Sequence, residues 1–511
     1  MVSSILARTA VVAAALLTAA CAGGRPRPPQ CPAEGGAVWR EITSEHFRLA
    51  TDLDVTIAER ELDRFERAYD AMVQAAFPRA ALGRTQLVVF RTDEDLHAFV
   101  PNVAAGVFVP GWEVEDDETG AALFGGGLRA KSRAVFQHEL AHRLLATGFA
   151  QVPPWFSEGL AVYFETMRVE GDRVILGDWA RPYGPVHRFP FVRELTAMDR
   201  DAFYLGADRR DVNHDAARLL DGRYTASWHL VHLLRNGPDP IRDKFRRVIT
   251  SINDGQPFEP AFRAFADDVG VSVLERAFRT HAQDAKRLSS VFAYAPSRLA
   301  ARPQARGLSP EETHLLWAKL LLAGPARDRA LSEVDEALKH APRSLEARLV
   351  RAHVQLVLRD VAGATNAFTA IVNEAPTNGP ALAGLLGALL DARPEARDIT
   401  RIHDLAERLA SVAATAGEHG ATVYGFAASG DFERALAASA AATSAHPTSY
   451  RLLAARAVLL AKAGQYREAT ATTRRALQAL PERVARSDAG RDLARRLAEY
   501  RAAAEREETA R

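Results

Sequence analysis

The sequence predicts an α+β domain followed by an all-α solenoid, and three observations predict it. Alternating or β-branched runs interleave with helical stretches before residue 130, as a small mixed sheet requires. Helical, amphipathic segments then continue as a helical lobe to about Phe292. Beyond residue 308 the chain repeats itself: Pro342 and Pro376 are 34 residues apart, and so are Pro447 and Pro481. A chain of 511 residues is also too long for one typical domain. The expected division is an export signal over 1–21, a flexible tether over 22–37, the α+β domain over 38–295, a linker over 296–308, repeats over 309–485 and a charged C-terminal helix over 486–511.

The N-terminus reads as a targeting segment. Arg8 precedes an apolar run from Ala10 to Ala20 broken only by Thr18, too short to span a bilayer comfortably. Leu17-Thr18-Ala19-Ala20-Cys21 resembles a bacterial lipoprotein cleavage site, which makes Cys21 the lipidated residue and the anchor to a membrane. Thr18 stands where that pattern more often has Leu, and ordinary secretion is the alternative. Ala22 follows instead of Asp, so the expected location is the bacterial cell envelope, at the periplasmic face of the outer membrane. The other cysteine is Cys31, so no disulfide framework holds the fold. Net charge is +1, with no basic bulk to attract nucleic acid.

In the first domain, Trp39–Ile42 and His46–Ala50 alternate as strands. Ile57, Leu62, Phe65, Tyr69, Met72 and Val73 share one face of a helix over Val55–Ala76. Thr85–Phe90 is a buried strand, and Asp93 caps a short helix through Phe99. Val107–Trp112 and Ala121–Phe124 are further strands, separated by an acidic turn over Glu113–Glu118.

The chemistry centres on Val135-Phe136-Gln137-His138-Glu139-Leu140-Ala141-His142-Arg143-Leu144-Leu145. On a helix His138 and His142 share a face, so both imidazoles reach one metal ion. Glu139 stands one step round from His138, within reach of a metal-activated water. Zinc suits two neutral imidazoles and a carboxylate, and it lowers the pKa of bound water to about 7. A catalytic zinc needs a third protein ligand, and Pro153-Pro154-Trp155-Phe156-Ser157-Glu158-Gly159-Leu160-Ala161 follows. Pro154 or Ser157 opens a second helix that carries Glu158 back alongside the first. Glu165, two turns on, is a rival third ligand, or else a carboxylate outside the ligand set.

His-Glu-Leu-Ala-His followed by Trp-Phe-Ser-Glu-Gly-Leu-Ala resembles the gluzincin metallopeptidases, and most of all their peptidase MA-like branch. The resemblance covers roughly Trp39 to Leu234 and implies a zincin-like fold with Glu158 as third zinc ligand. It implies that Tyr224, in Tyr224-Thr225-Ala226-Ser227-Trp228, donates a hydrogen bond to the oxyanion of the tetrahedral intermediate, with His229 and His232 as weaker candidates. It also implies that peptide substrate adds as a strand at the sheet edge beside the metal helix. Ala121-Ala122-Leu123-Phe124 with Gly125-Gly126-Gly127 is the stretch expected to receive it, or else a flexible loop. The Gly-Ala-Met-Glu-Asn stretch of the aminopeptidase branch is missing, which speaks against recognition of a free amino terminus. Val169–Leu176 reads as a hairpin turning at Gly171-Asp172. From Gly177 to Asp221 few signals are legible, and His187 and His214 there read as structural or solvated.

The repeats resemble tetratricopeptide units, paired antiparallel helices with small residues at the close crossings. Ala330, Ala364, Ala435 and Ala469 recur in one register, and Gly430-Asp431-Phe432 matches Gly464-Gln465-Tyr466. Such a solenoid is expected to bind protein partners or recruit substrate. The functional expectation is therefore a lipid-anchored zinc metallopeptidase with Glu139 as general base. The alternative is a non-catalytic envelope scaffold whose repeats carry the function.

Overall fold

The computed structural model describes residues 29–77, 84–100, 106–110, 120–125, 130–148, 152–178, 191–204, 214–253, 256, 258–283, 289–297, 303–324, 326–393, 395, 397–480 and 488–509. The signal segment, Cys21, the acidic turn, His187 and Pro481 lie outside the described residues.

A six-stranded mixed sheet organises the first half. Its strands are β1 (Arg40–Thr43), β2 (Phe47–Thr51), β3 (Thr85–Val89), β4 (Gly106–Pro110), β5 (Gly120–Phe124) and β9 (Gln304–Gly307). Their order is β4-β5-β3-β2-β1-β9. β2, β3 and β5 run parallel, while β1, β9 and β4 pair antiparallel with their neighbours. Between β2 and β3 the chain crosses over through α1 (Val55–Ala76), whose N-cap Asp54 accepts from the Thr56 N–H. The short helix α2 (Asp93–His97) starts one residue earlier than expected: Thr92, not Asp93, is its cap and accepts from the Asp95 N–H. Asp93 instead occupies the first turn, where its charge favours the helix dipole.

Successive residues of β3 face opposite sides, and both sides are buried. Leu87 and Val89 join Ile42, Phe47 and Leu49 in one core with Phe65 of α1 and Phe136 of α3 (Ala130–Gly148). Val88 and Phe90 join Ala50 and Leu123 in a second core with Leu315, Trp317 and Leu321 of α11 (Pro310–Ala323). The first helix of the repeats thus covers the back of the sheet, opposite α3. Two expectations change as a result. The stretch read as a linker carries β9, which pairs with β1 from Gln304 to Gly307. The tether is anchored at its end, because Cys31 is fully buried in that second core as a free thiol, beside a 3-10 turn over Pro32–Glu34.

The helical lobe follows α4 (Pro154–Glu165) and the hairpin β6 (Arg168–Glu170) and β7 (Arg173–Leu176), which turns at Gly171 with φ +62°. It comprises α5 (Val192–Ala197), α6 (Arg200–Phe203), α7 (His214–Asn236), α8 (Asp239–Asn253), α9 (Phe258–Val269) and α10 (Val271–Gln283). The expected helical run to near Phe292 is not observed at its end: Ser290–Ala293 forms β8 and pairs with β7.

The second half is a run of antiparallel helix hairpins. After α11 come α12 (Ala330–His340), α13 (Leu345–Val357), α14 (Val361–Glu374), α15 (Gly379–Asp391), α16 (Ile399–Ala410), α17 (Ala416–Ser429), α18 (Phe432–Ala445), α19 (Tyr450–Lys462), α20 (Tyr466–Ala479) and α21 (Asp488–Thr509). Ala330, Ala364, Ala435 and Ala469, which set the repeat register, are all fully buried. Pro342, Pro376 and Pro447 each stand two residues past a helix end, where proline stops further winding. Gly430 and Gly464 adopt φ +87° and +75° between paired helices, and Arg359 takes the same turn at φ +71°. Leu493 of α21 packs with Leu453 and Ala476, closing the end of the array. Among the described residues no helix is long and apolar enough to cross a membrane.

Candidate metal centre

Helix α3 is amphipathic by burial. Phe136, Leu140, Ala141, Leu144 and Leu145 are buried in the core, while His138, Glu139 and His142 are half-buried on the other side. Two imidazoles one turn apart are thereby held at the edge of the core, not within it. Helix α4 opens at Pro154, with Pro153 as its N-cap residue; proline suits the first helical position because no intrahelical N–H is needed there. Glu158 follows on the first turns and is 2% exposed.

Gly159 explains how Glu158 comes so deep. A Cβ on Gly159 would lie 2.4 Å from the Ser227 carbonyl oxygen on α7, so α4 and α7 cross with backbone almost in contact. Any side chain there would push α4 away.

Three ligand atoms converge. His138 Nε2 and His142 Nε2 are 3.0 Å apart, and Glu158 Oε2 is 3.4 Å from each. A tetrahedral zinc with bonds of about 2.0–2.1 Å sets neighbouring ligand atoms about 3.4 Å apart. The triangle is therefore close to the base of a zinc tetrahedron. Glu158 Oε2 is buried and, among the described residues, has no hydrogen-bond partner. A buried carboxylate oxygen without a donor is costly, and a cation between it and two facing imidazole nitrogens would satisfy all three. His138, His142 and Glu158 are a group able to hold a metal ion.

Each ligand is held from behind. Glu165 Oε1 lies 2.8 Å from His138 Nδ1, and Ser157 Oγ lies 3.0 Å from His142 Nδ1. Partners on Nδ1 leave Nε2 free to face the metal position. Glu165 thus touches the far nitrogen of His138, away from the convergence point, as an orienting carboxylate. The Tyr204 hydroxyl donates to Glu158 Oε1, the other oxygen of that carboxylate.

The charges of the cluster act on one another. Burial by itself depresses the His138 imidazole, but Glu158 and Glu165 outweigh it and push it up to about 10. Burial by itself raises the Glu158 carboxyl, but the His142 charge and the His138 contact hold it far below the usual carboxylate range.

The other expected residues fall as follows. Tyr224 lies on α7, half-buried, with its ring 6.1 Å from that of Phe203. His229 is buried with its ring 4.9 Å from Trp228. His232 Nδ1 lies 2.8 Å from His281 Nε2, which joins α7 to α10. His214 begins α7. Ala121–Phe124 is not a sheet edge: β5 pairs with β3 on one side and β4 on the other. The edge belongs to Gly106–Pro110, because the chain doubles back antiparallel and β4 covers β5. Tyr204 escaped the sequence reading. It stands 46 residues beyond Glu158, within the stretch from Gly177 to Asp221, and nothing local marks it.

No protein-family model matches the sequence, and no curated protein matches it significantly. Solved structures do match. A thermophilic TPR protein of Thermus thermophilus is similar at 24% identity and a TM-score of 0.32, covering 37% of this chain and 98% of its own. YrrB, a TPR protein with an unusual peptide-binding site, is similar at 18% identity and a TM-score of 0.27, covering 34% of this chain and 88% of its own. The repeats' own paired helices and 34-residue spacing give them a TPR-like arrangement.

Proposed function

We propose that this chain is a zinc-dependent metallopeptidase of gluzincin type, exported and lipid-anchored through Cys21, with repeats that engage protein partners. One observation carries the proposal: two Nε2 atoms and one otherwise unsatisfied Oε2 close a triangle of zinc dimensions. His138, His142 and Glu158 would hold the ion. When bound, zinc would supply an activated water and polarise the scissile carbonyl. Glu139, on the same helix turn, accepts a proton from the attacking water and delivers it to the leaving amine nitrogen. Edge strand β4 offers its backbone N–H and C=O groups to an extended peptide. Tyr224 is proposed as the hydrogen-bond donor to the developing oxyanion, from the helix that Gly159 brings against α4.

The test is Glu139→Gln in the chain from residue 22 onward, assayed on a peptide library by mass spectrometry. Hydrolysis should fall about 10²–10⁴-fold while zinc content stays near one per chain, since a general base contributes that much. Wild-type rates in the variant would sink the mechanism.

The scaffold reading draws on the extent of the helix array. It requires that function survive Glu139→Gln and be lost when the array is cut. The cut belongs after α13, because α11, α12 and α13 share the core behind the sheet.

A further inference from the structure

We infer that Tyr204 is a positioning residue that makes Glu158 a one-oxygen ligand and so reserves the fourth coordination position. The inference rests on the metal-binding reading and adds to it a coordination number and the residue that sets it.

A glutamate can meet a metal with one oxygen or two. Two oxygens would leave less room for water or substrate, whereas a catalytic tetrahedral site needs three protein atoms and one open position. In this chain the two oxygens of Glu158 have different surroundings. Oε2 faces both imidazoles at 3.4 Å and, among the described residues, has no hydrogen bond of its own. Oε1 accepts from the Tyr204 hydroxyl, and the whole contact is buried. Rotating Glu158 to present both oxygens would break that buried hydrogen bond, which carries a cost.

The tyrosine is itself fixed. It directly follows α6, and its ring meets Phe203 edge-on at 5.0 Å. Arg223 of α7 donates to the carbonyls of Ala202 and Phe203 at 2.6 and 2.7 Å, which ties the end of α6 to α7. Asp199 caps the start of the same turn through the Ala202 N–H at 2.8 Å. At the far end of the segment, Glu275 of α10 accepts from the Val192 N–H at 2.7 Å. The hydroxyl therefore arrives from a segment other than α3 and α4, held by α7 and α10. All three ligands then have one outer partner each: Glu165, Ser157 and Tyr204.

The experiment compares the wild-type chain with Tyr204→Phe, which keeps the ring and its packing and removes the hydroxyl alone. Both are loaded with Co²⁺, whose visible absorption is strong in tetrahedral sites and weak at higher coordination. Zinc affinity is measured alongside by chelator competition. The expected result is an intense spectrum for wild type, a weakened one for Tyr204→Phe, and a zinc affinity lowered about 10–100-fold, the usual cost of losing an outer partner. An unchanged cobalt spectrum in the variant overturns the role of Tyr204, whatever the affinity does, and leaves the metal site standing. Absence of metal binding in wild type overturns the metal reading and this inference together. Thermal unfolding of both metal-free proteins guards against a folding artefact. Should Tyr204→Phe unfold, Glu158→Asp answers instead: its shorter arm cannot keep both the hydroxyl and the metal, so an unchanged spectrum there also overturns the inference.

Discussion

Replacing Gly159 by alanine tests how the fold delivers the third ligand. The added Cβ would meet the Ser227 carbonyl oxygen at 2.4 Å, the Ser227 carbonyl carbon at 2.7 Å and Val231 Cγ2 at 2.8 Å. Ordinary carbon contacts lie at about 3.5–4.0 Å, so α4 and α7 must part by about 1 Å. The obstacle is helix backbone, which cannot turn aside as a side chain does. Two effects oppose. Alanine in a helix gains up to about 1 kcal/mol over glycine. Overpacking of a well-filled core costs about 1–3 kcal/mol, and backbone-to-backbone overlap belongs at the upper end. The net expectation is a loss of about 1–2 kcal/mol, or a few degrees in Tm for a domain of this size, roughly 2–4 °C per kcal/mol. The larger consequence is local. Glu158 is the neighbouring residue, and a displacement of about 1 Å opens edges that now measure 3.4 Å against zinc bonds of about 2 Å. Zinc affinity should fall at least about 10-fold, as when a ligand's support is lost. The assays are thermal unfolding of the metal-free chain and chelator competition. A variant as stable as wild type with equal zinc affinity would refute the crossing as the device that places Glu158.

Four further outcomes are expected. Glu165→Ala should lower zinc affinity about 10–100-fold with little change in fold, because His138 loses the partner on Nδ1, as competition with a chelator will show. Trp317→Ala should cost about 3–5 kcal/mol, and hydrogen exchange should quicken in the sheet as well as in the repeats; loosening confined to the repeats would refute the shared core. Arg359→Gly should stabilise the array by up to about 1 kcal/mol in denaturant unfolding, since a non-glycine residue at φ +71° is strained and its ion pair with Asp391 is exposed. The last concerns pH. Burial pushes Glu66 up, but hydrogen bonds from His46 and Ser44 outweigh it and lower it below 4.5, so its contribution is present above pH 4.5 and lost as pH falls through the folded value. The hydrogen bond to Glu66 raises His46 above 6.5 despite burial, so its contribution is complete below pH 6.5 and lost as pH rises through the folded value. The stability gap between wild type and Glu66→Gln should therefore be widest between pH 4.5 and 6.5 and narrow on both sides.

What the chain's own sequence determined is what depends on residues near one another along it. His138 and His142 share a face because a helix has 3.6 residues per turn, and their burial pattern follows from Phe136, Leu140 and Leu144 on the opposite side. The repeat register was legible because each hairpin needs a small residue at its crossing and a stop after its second helix, and Ala364 with Pro376 supplies both. The hairpin at Gly171 was legible for the same local reason. What only the tertiary structure decided are pairings between distant segments. The sheet edge passed to β4 because an antiparallel return covers β5. Gln304–Gly307 became a strand by pairing with the edge of β1, and α11 closed the back of the sheet over the apolar side chains of Val88 and Phe90. Tyr204 and Glu165 acquired their places at Glu158 and His138 in the same way. A hydroxyl or carboxylate many residues from its partner carries no periodicity and no turn signal, and only the packing of α6 and α4 against their neighbours brings it within hydrogen-bond reach.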